Sequence, residues 1–301
     1  MRASVLAQAS AQTHLHWATK PLPVSRDGVH LVEDGFLRSH GLGLRLLPPI
    51  SLVVDDLGIH YDPAGPSRIE TQIAAGPPMG GEERASRLIA QILQARLTKY
   101  NIGGSSDDLP RGHRILVAGQ VEDDASVLAG AIGEVRSNAE LLRRAREANP
   151  NAVIVWKPHP DVESGYRKGQ VPLRMVEKFA DVVLSGVSAD EALGAVDEVW
   201  TLTSLIGFEA LLRGKTVTVA GMPFYAGWGL TNDLAGAPAR RTARPTISAL
   251  AHAALIDYPR YWHPVTAAPI SAEHAVACLA NGISPKRGVV AGLLAIGRGR
   301  S

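Results

Sequence analysis

From residue 115 onward, short apolar runs alternate with stretches whose apolar residues recur every three to four positions. The runs at 115–118, 152–156, 182–184, 199–202 and 217–220 are rich in Val, Ile and Leu, as strands buried on both faces are. Between and after them, 132–148, 173–180, 205–213 and 247–255 show helical spacing. This alternation predicts βαβ units, a parallel sheet and right-handed crossovers that cover both faces with helices.

The first third is less regular. Residues 82–98 predict one long amphipathic helix, with Leu88, Ile89, Ile92 and Leu93 as its apolar stripe. The turn-rich stretch 101–111, with Gly103, Gly104, Ser105, Ser106 and Asp107, reads as a linker. A chain of 301 residues with 46% hydrophobic residues suits two compact lobes, at roughly 150 residues per domain. The expected division is an N-terminal lobe at 1–112, a second α/β lobe at 113–270, and a C-terminal helix and tail at 271–301. Two such lobes leave a cleft facing the carboxyl ends of the strands, where sheets of this kind bind ligands.

Charge narrows the functional classes. Lys plus Arg number 31 against 29 for Asp plus Glu, so the net charge of +2 argues against nucleic-acid binding through bulk electrostatics. An anionic ligand must be held locally. Cys278 is the only cysteine, which excludes an internal disulfide and a cysteine-based metal site and suits a reducing compartment. Residues 1–13 lack a signal-peptide core, and no stretch reaches the roughly 18 apolar residues of a membrane span. A soluble, cytoplasmic chain is the expectation. The apolar stretch 288–296, followed by Arg298 and Arg300, reads as a terminal helix or tail.

Five segments carry candidate chemistry. Leu202-Thr-Ser-Leu-Ile-Gly-Phe-Glu209 follows a strand and opens a helix, placing Ser204 at an N-cap whose free N–H groups favour a phosphate. Gly207 in the first turn marks close approach of a backbone or ligand. In Trp156-Lys-Pro-His-Pro-Asp161 the prolines hold the backbone extended and aim His159 at the cleft, with Lys157 beside it. Pro223-Phe-Tyr-Ala-Gly-Trp-Gly229 suits either stacking on a base or sugar or packing between the lobes. Gln120-Val-Glu-Asp-Asp-Ala-Ser126 gathers three carboxylates, read as a mutually repelling cluster that a divalent metal would relieve or as a solvated helix N-terminus. In the first lobe, 32–43 bring acids, a base and glycines together, with an internal Asp34–Arg38 pair as the plain alternative to a catalytic carboxylate.

Together with Asp257-Tyr-Pro-Arg-Tyr261, these segments, taken in chain order from 32–43 onward, resemble the KpsC family of capsular polysaccharide biosynthesis proteins, bacterial retaining β-Kdo transferases. The likeness runs from about Val32 to Trp262. It implies a GT-B-like α/β fold of two Rossmann-type lobes, the first on the acceptor side and the second holding the CMP-sugar. It also implies transfer of Kdo from CMP-Kdo to a Kdo-bearing phospholipid, building the oligo-Kdo linker of capsule polysaccharide. By the same likeness His159 and Ser204 hold the CMP phosphate and Glu209 reaches the ribose, with Lys157, Pro160, Thr203, Gly207, Tyr225, Gly227 and Trp228 on the donor side.

Retention by double displacement needs a carboxylate beside the anomeric carbon. The family's Gln and Asp map to Gln120 and Asp124, with Asp123 as the fallback nucleophile. Glu33, or else Asp34, is the expected acid/base, and Arg38 the partner of the sugar carboxylate. A CMP leaving group carries a single phosphate, so no metal or other cofactor is expected for the chemistry. Peripheral association with the inner membrane through capsule-assembly proteins is a further expectation. Family members commonly carry two such modules, and the few residues before Val32 lead us to expect a clipped first lobe. The competing readings are a transferase for another CMP-activated ulosonic or sialic acid, and a non-catalytic glycolipid- or partner-binding module.

Overall fold

The computed structural model describes residues 14–21, 28–38, 49–98 and 109–283. Most of the expected linker, the Ser39–Gly43 end of the first-lobe motif and the apolar stretch at 288–296 lie outside the described residues. In chain order the elements begin with β1 (His14–Trp17), β2 (Val29–Asp34), β3 (Ser51–Asp55), α1 (Arg68–Ala75) and α2 (Gly81–Gln94). An α/β stretch follows: β4 (Arg114–Ala118), α3 (Ala125–Gly130), α4 (Asn138–Ala148), β5 (Val153–Lys157), α5 (Pro160–Glu163), α6 (Leu173–Phe179), β6 (Val182–Val183), α7 (Ala189–Gly194), β7 (Glu198–Thr201), α8 (Leu205–Leu212), β8 (Thr216–Val219) and β9 (Asn232–Asp233). The chain closes with α9 (Ile247–His252), a π-helical turn (Ala253–Asp257), β10 (Pro259–Trp262), β11 (Pro269–Ile270) and α10 (Ala272–Ala280).

The larger sheet is wholly parallel, in the order β6-β5-β4-β7-β8-β9. Its strands begin at the centre with β4, step outward through β5 to β6, then return to β7 on the other side of β4. This is the strand order of a dinucleotide-binding fold, and it places the topological switch point between β4 and β7. The two-residue periodicity of a strand sorts its side chains between two cores. Ile115 and Val117 join Leu141, Leu142 and Trp156 beneath α4, whereas Leu116 and Ala118 join the core beneath α8. Both faces are thus covered, which is why the strands read as unbroken apolar runs.

One expected helix divides. The span 132–148 is broken before Ser137, whose hydroxyl accepts from Glu140 N–H while the Glu140 carboxylate accepts from Ser137 N–H, a reciprocal cap that starts α4 afresh.

The smaller sheet has the order β1-β2-β3-β10-β11 and is mixed. Only β1 and β2 run parallel; every other neighbouring pair is antiparallel. Among the described residues the β1–β2 pair is its parallel part, and the two sheets together give the two-lobed α/β architecture expected from the sequence. Residues 259–270, expected with the second lobe, extend the first sheet instead, β10 pairing with β3 and β11 with β10. Tyr258 holds this return, its buried hydroxyl donating to Asp55 Oδ2 at 2.9 Å. Asp55 Oδ1 also accepts from the N–H groups of Leu57, Gly58 and Arg68, so one buried carboxylate organises the end of β3, the following turn and the start of α1.

One apolar core is shared by the two sheets. Phe36, just past β2, stacks on Phe224 at 4.6 Å between ring centroids, and Phe208 and Tyr258 flank that pair. A buried ion pair reinforces the join: Arg241 Nε donates to Glu70 Oε1 at 2.6 Å, and its Nη1 donates to the carbonyls of Pro223 and Ala226.

Candidate functional site

At the switch point the carboxyl ends of β4 and β7 diverge, and Gln120 bridges them. Its Oε1 accepts from Thr203 N–H at 2.8 Å and from the Thr201 hydroxyl at 3.1 Å, while its Nε2 donates to Thr203 Oγ1 at 3.1 Å. Its backbone is held on both sides by Asn138, through Asn138 Oδ1 on Gln120 N–H and Asn138 Nδ2 on Gln120 C=O. Gln120 and Thr203, both expected to touch the donor, have their side-chain amide and hydroxyl engaged on each other. Asn138 is a supporting residue that the sequence analysis missed. Its signal was weak, a single Asn just after the Ser137 cap.

Beside this bridge lies a cavity of about 110 Å³ whose lining includes Gly119, Lys157, His159, Pro160, Ser204 and Glu209. Five expected donor-side residues, Lys157, His159, Pro160, Ser204 and Glu209, thus share one cleft. Ser204 caps α8, its hydroxyl accepting from Ile206 N–H at 3.3 Å, so the N-terminal turn of α8 opens onto the cleft. His159 caps the short α5, its Nδ1 accepting from Asp161 N–H at 3.1 Å. An accepting Nδ1 places the neutral ring's proton on Nε2 and makes that nitrogen the donor.

Lys157 is the most unusual group here. It ends β5 only 7% exposed, and burial holds its ammonium below the ordinary lysine range, opposed by the charge of Glu163. Its Nζ makes no hydrogen bond or ion pair among the described residues. An ammonium desolvated without a partner is costly, and a bound anion would remove that cost.

Gly207 does approach something closely, but it is protein. A Cβ there would lie 2.3 Å from the Tyr225 hydroxyl. Tyr225 is fully buried and donates to Ser204 C=O at 2.5 Å, and burial raises its phenol well above the usual range. Trp228 is buried too, with Nε1 donating to Phe224 C=O at 2.8 Å and the Arg241 guanidinium 5.6 Å from its ring. Gly227, at a φ of +82°, gives its N–H to Asp233 Oδ2. Tyr225, Gly227 and Trp228 do not line the cleft. The three aromatics of the 223–229 loop are buried in the shared core, as the packing reading expects.

The three carboxylates after β4 go separate ways. Glu122 Oε1 accepts from Asn138 N–H at 2.7 Å, and Asp123 pairs with Arg167 at 3.0 Å on the surface. Asp124 caps α3, its Oδ1 accepting from Ser126 N–H and Oγ–H at 3.0 and 2.7 Å. The expected cluster is thus a helix N-terminus, and it offers no converging set of metal ligands. Across from it, Arg38 is buried and pairs with Asp34 Oδ2 at 2.5 Å, while Glu33 Oε1 accepts from Asp34 N–H.

Tyr61, absent from the sequence expectations, connects these two edges. Its hydroxyl is pushed above the ordinary phenol range by burial first and then by the charges of Glu33 and Asp124. Both carboxylates therefore act electrostatically on the same phenol, together with that of Asp62. A lone Tyr in a turn, 28 positions from Glu33 in sequence, carries no local pattern that would have revealed this.

Comparison with known proteins places these observations. The family described as capsule polysaccharide biosynthesis protein matches residues 25–109 and 89–261. The capsule polysaccharide modification protein LipA of Neisseria meningitidis serogroup B is 45% identical over 252 residues, covering 82% of this chain and 35% of LipA. The lipopolysaccharide-processing protein LpsZ of Rhizobium meliloti is 43% identical over 259 residues, covering 83% of this chain and 58% of LpsZ. The chain thus spans about a third to three-fifths of the length of these relatives. Among solved structures, the β-Kdo 2,4 transferase of Thermosulfurimonas dismutans KpsC matches at a TM-score of 0.76 and 33% identity, covering 87% of this chain and 86% of that one. The β-Kdo 2,7 transferase of the same KpsC matches at 0.69 and 41% identity, covering 84% and 77%.

Proposed function

The chain belongs to the capsule polysaccharide biosynthesis protein family, and from that premise we propose that it is a retaining β-Kdo transferase that takes Kdo from CMP-Kdo. The observation that carries this reading is the buried ammonium of Lys157 in the cleft at the switch point, beside His159 and the capped start of α8. A phosphate there meets an unpaired cation, the Nε2–H of His159 and the Ser204 hydroxyl, with the α8 dipole adding to the field. The same contacts strengthen as the phosphate gains charge on leaving, which is the condition for accelerating the chemical step. Glu209, also lining the cleft, takes the ribose hydroxyl in this reading.

In the reading we favour, Asp124 attacks the anomeric carbon and CMP departs with the bonding pair, leaving a Kdo ester on the enzyme. Oδ1 is committed to capping α3, so Oδ2 is the attacking atom. Glu33 then accepts the proton of the acceptor hydroxyl as that oxygen displaces Asp124 and restores the carboxylate. Asp34 instead fixes Arg38, and the pair presents a guanidinium to the Kdo carboxylate. The acceptor is a Kdo-bearing phospholipid reached from the membrane surface; among the described residues no helix is long and apolar enough to cross a membrane.

The test is incubation of the protein with CMP-Kdo and a synthetic Kdo acceptor, read by intact mass. Transfer, together with a Kdo adduct on the protein that is lost in Asp124→Ala, is expected, and chelator should leave both unchanged. An adduct that persists in Asp124→Ala overturns the nucleophile. Absence of CMP-Kdo binding by the folded protein overturns the donor assignment.

A further inference from the structure

A second group of reactive side chains lies apart from the cleft, where β10 and β11 meet α10. His263 stands in the turn joining the two strands, and His274 and Cys278 are one helical turn apart on one face of α10. One ligand atom from each of the three lies within 4.8 Å of the others. The two imidazoles sit 5.6 Å apart, inclined by 71°. His263 is oriented by its turn, Nδ1 accepting long contacts from Val265 N–H at 3.3 Å and Thr266 N–H at 3.2 Å. Cys278 is buried, His263 half-buried and His274 exposed, so the group has a protected floor and an open face.

We propose that His263, His274 and Cys278 form a binding site for a borderline transition-metal cation, zinc foremost, separate from the sugar-nucleotide cleft. Two imidazoles and a thiolate are ligands for zinc at about 2.0–2.1 Å for nitrogen and about 2.3 Å for sulfur, with a fourth position for water. The absence of oxygen donors from this trio argues against magnesium or calcium. Tetrahedral ligation at those lengths sets ligand atoms about 3.5 Å apart, so loading draws the three atoms together by about 1 Å. The exposed His274 can supply that movement by rotation.

The proton balance is simple. Cys278 loses its thiol proton to solvent as the sulfur–metal bond forms. His263 coordinates either through Nδ1, which lacks a proton in the neutral ring, or through Nε2 after its proton moves to Nδ1. In both cases the two long turn contacts are given up and the ring remains neutral. Sequence reading excluded a cysteine-based site by counting cysteines alone; the fold surrounds the single cysteine with two histidines.

The test is titration of the full chain with Co²⁺ in weakly buffered solution, followed by Zn²⁺. One equivalent of Co²⁺ should produce a thiolate-to-metal absorption in the near ultraviolet and release one proton, and Zn²⁺ should abolish the absorption. Cys278→Ser should remove the band, and His274→Ala should weaken binding by at least about 10-fold, the lower end of what loss of a mere supporting contact causes. The His274 side chain is exposed, so His274→Ala keeps the test valid even where the cysteine variant fails to fold. No band with the wild-type chain, or the same band in folded Cys278→Ser, overturns the site.

Discussion

The segments 157–160 and 223–229 follow strand ends of the same sheet, and both carry prolines and side chains suited to a ligand. Their fates in the fold are opposite. In the first, Lys157 is desolvated without a partner and His159 is held in one tautomer, both lining a cavity. In the second, the Tyr225 hydroxyl and the Trp228 indole N–H each have a backbone acceptor, and the glycines admit neighbours: Asp233 at Gly227 and the Arg244 side chain near Gly229. A distinctive motif therefore marks a place where the chain is constrained, without saying by what. The discriminating observation is the Lys157 ammonium, which finds no hydrogen-bond partner among the described residues, whereas the polar atoms of Tyr225 and Trp228 do.

Substitutions can break this comparison, and the largest effect should come from the packed segment. Trp228→Ala removes a fully buried indole and should cost about 3–5 kcal/mol of stability, read as a fall in the urea midpoint. A stable variant with impaired CMP-Kdo binding would instead return Trp228 to the donor site. Lys157→Met should do the reverse. Loss of a charged contact to phosphate is worth about 1.5–3 kcal/mol, or roughly 10- to 150-fold in donor affinity by calorimetry, with stability kept or raised because an unpaired buried charge is gone. Tyr225→Phe should cost about 1 kcal/mol through the single hydrogen bond to Ser204 C=O, with little change in donor affinity.

The pH dependence sharpens the same contrast. Burial lowers the Lys157 pKa in the unliganded protein, and a bound phosphate raises it. Donor affinity is then greatest below the unliganded value and declines as pH rises from there toward the bound value, with uptake of up to one proton on binding within that window. Calorimetry in buffers of different ionisation enthalpy measures the uptake, and Lys157→Met should abolish it. A pH-independent affinity with no proton uptake would remove Lys157 from the donor contacts.

The larger sheet was legible because strands buried on both faces cannot alternate with polar residues, so runs such as Ile115–Ala118 stand out. The smaller sheet was not. Its strands are short, and β10 comes from residues that follow the whole parallel sheet, so its membership is decided by long-range contacts such as Tyr258 with Asp55. Helix 132–148 was drawn too long because apolar spacing continued across a break that the Ser137–Glu140 cap marks more reliably. At the site, backbone-determined features were visible from sequence: the Ser204 cap and the extended turn at His159. The work of Gln120, Asn138 and Tyr61 depends on partners distant in the chain, as does the burial of Tyr225 and Trp228, and no local pattern encodes it.

The return of β10 to β3 also has a consequence for synthesis. About 200 residues lie between β3 and its neighbour β10, and at about 5–20 residues per second a ribosome needs roughly 10–40 s to make them. Throughout that interval the hydrogen-bonding edge of β3, whose Leu52 and Val53 face their partners only once Arg260 and Pro259 arrive, has no strand to pair with. Such an open edge invites pairing with other chains. The first sheet is begun first and completed last, so the interval before residue 262 emerges is when the nascent chain is most exposed to association with its neighbours on the same message.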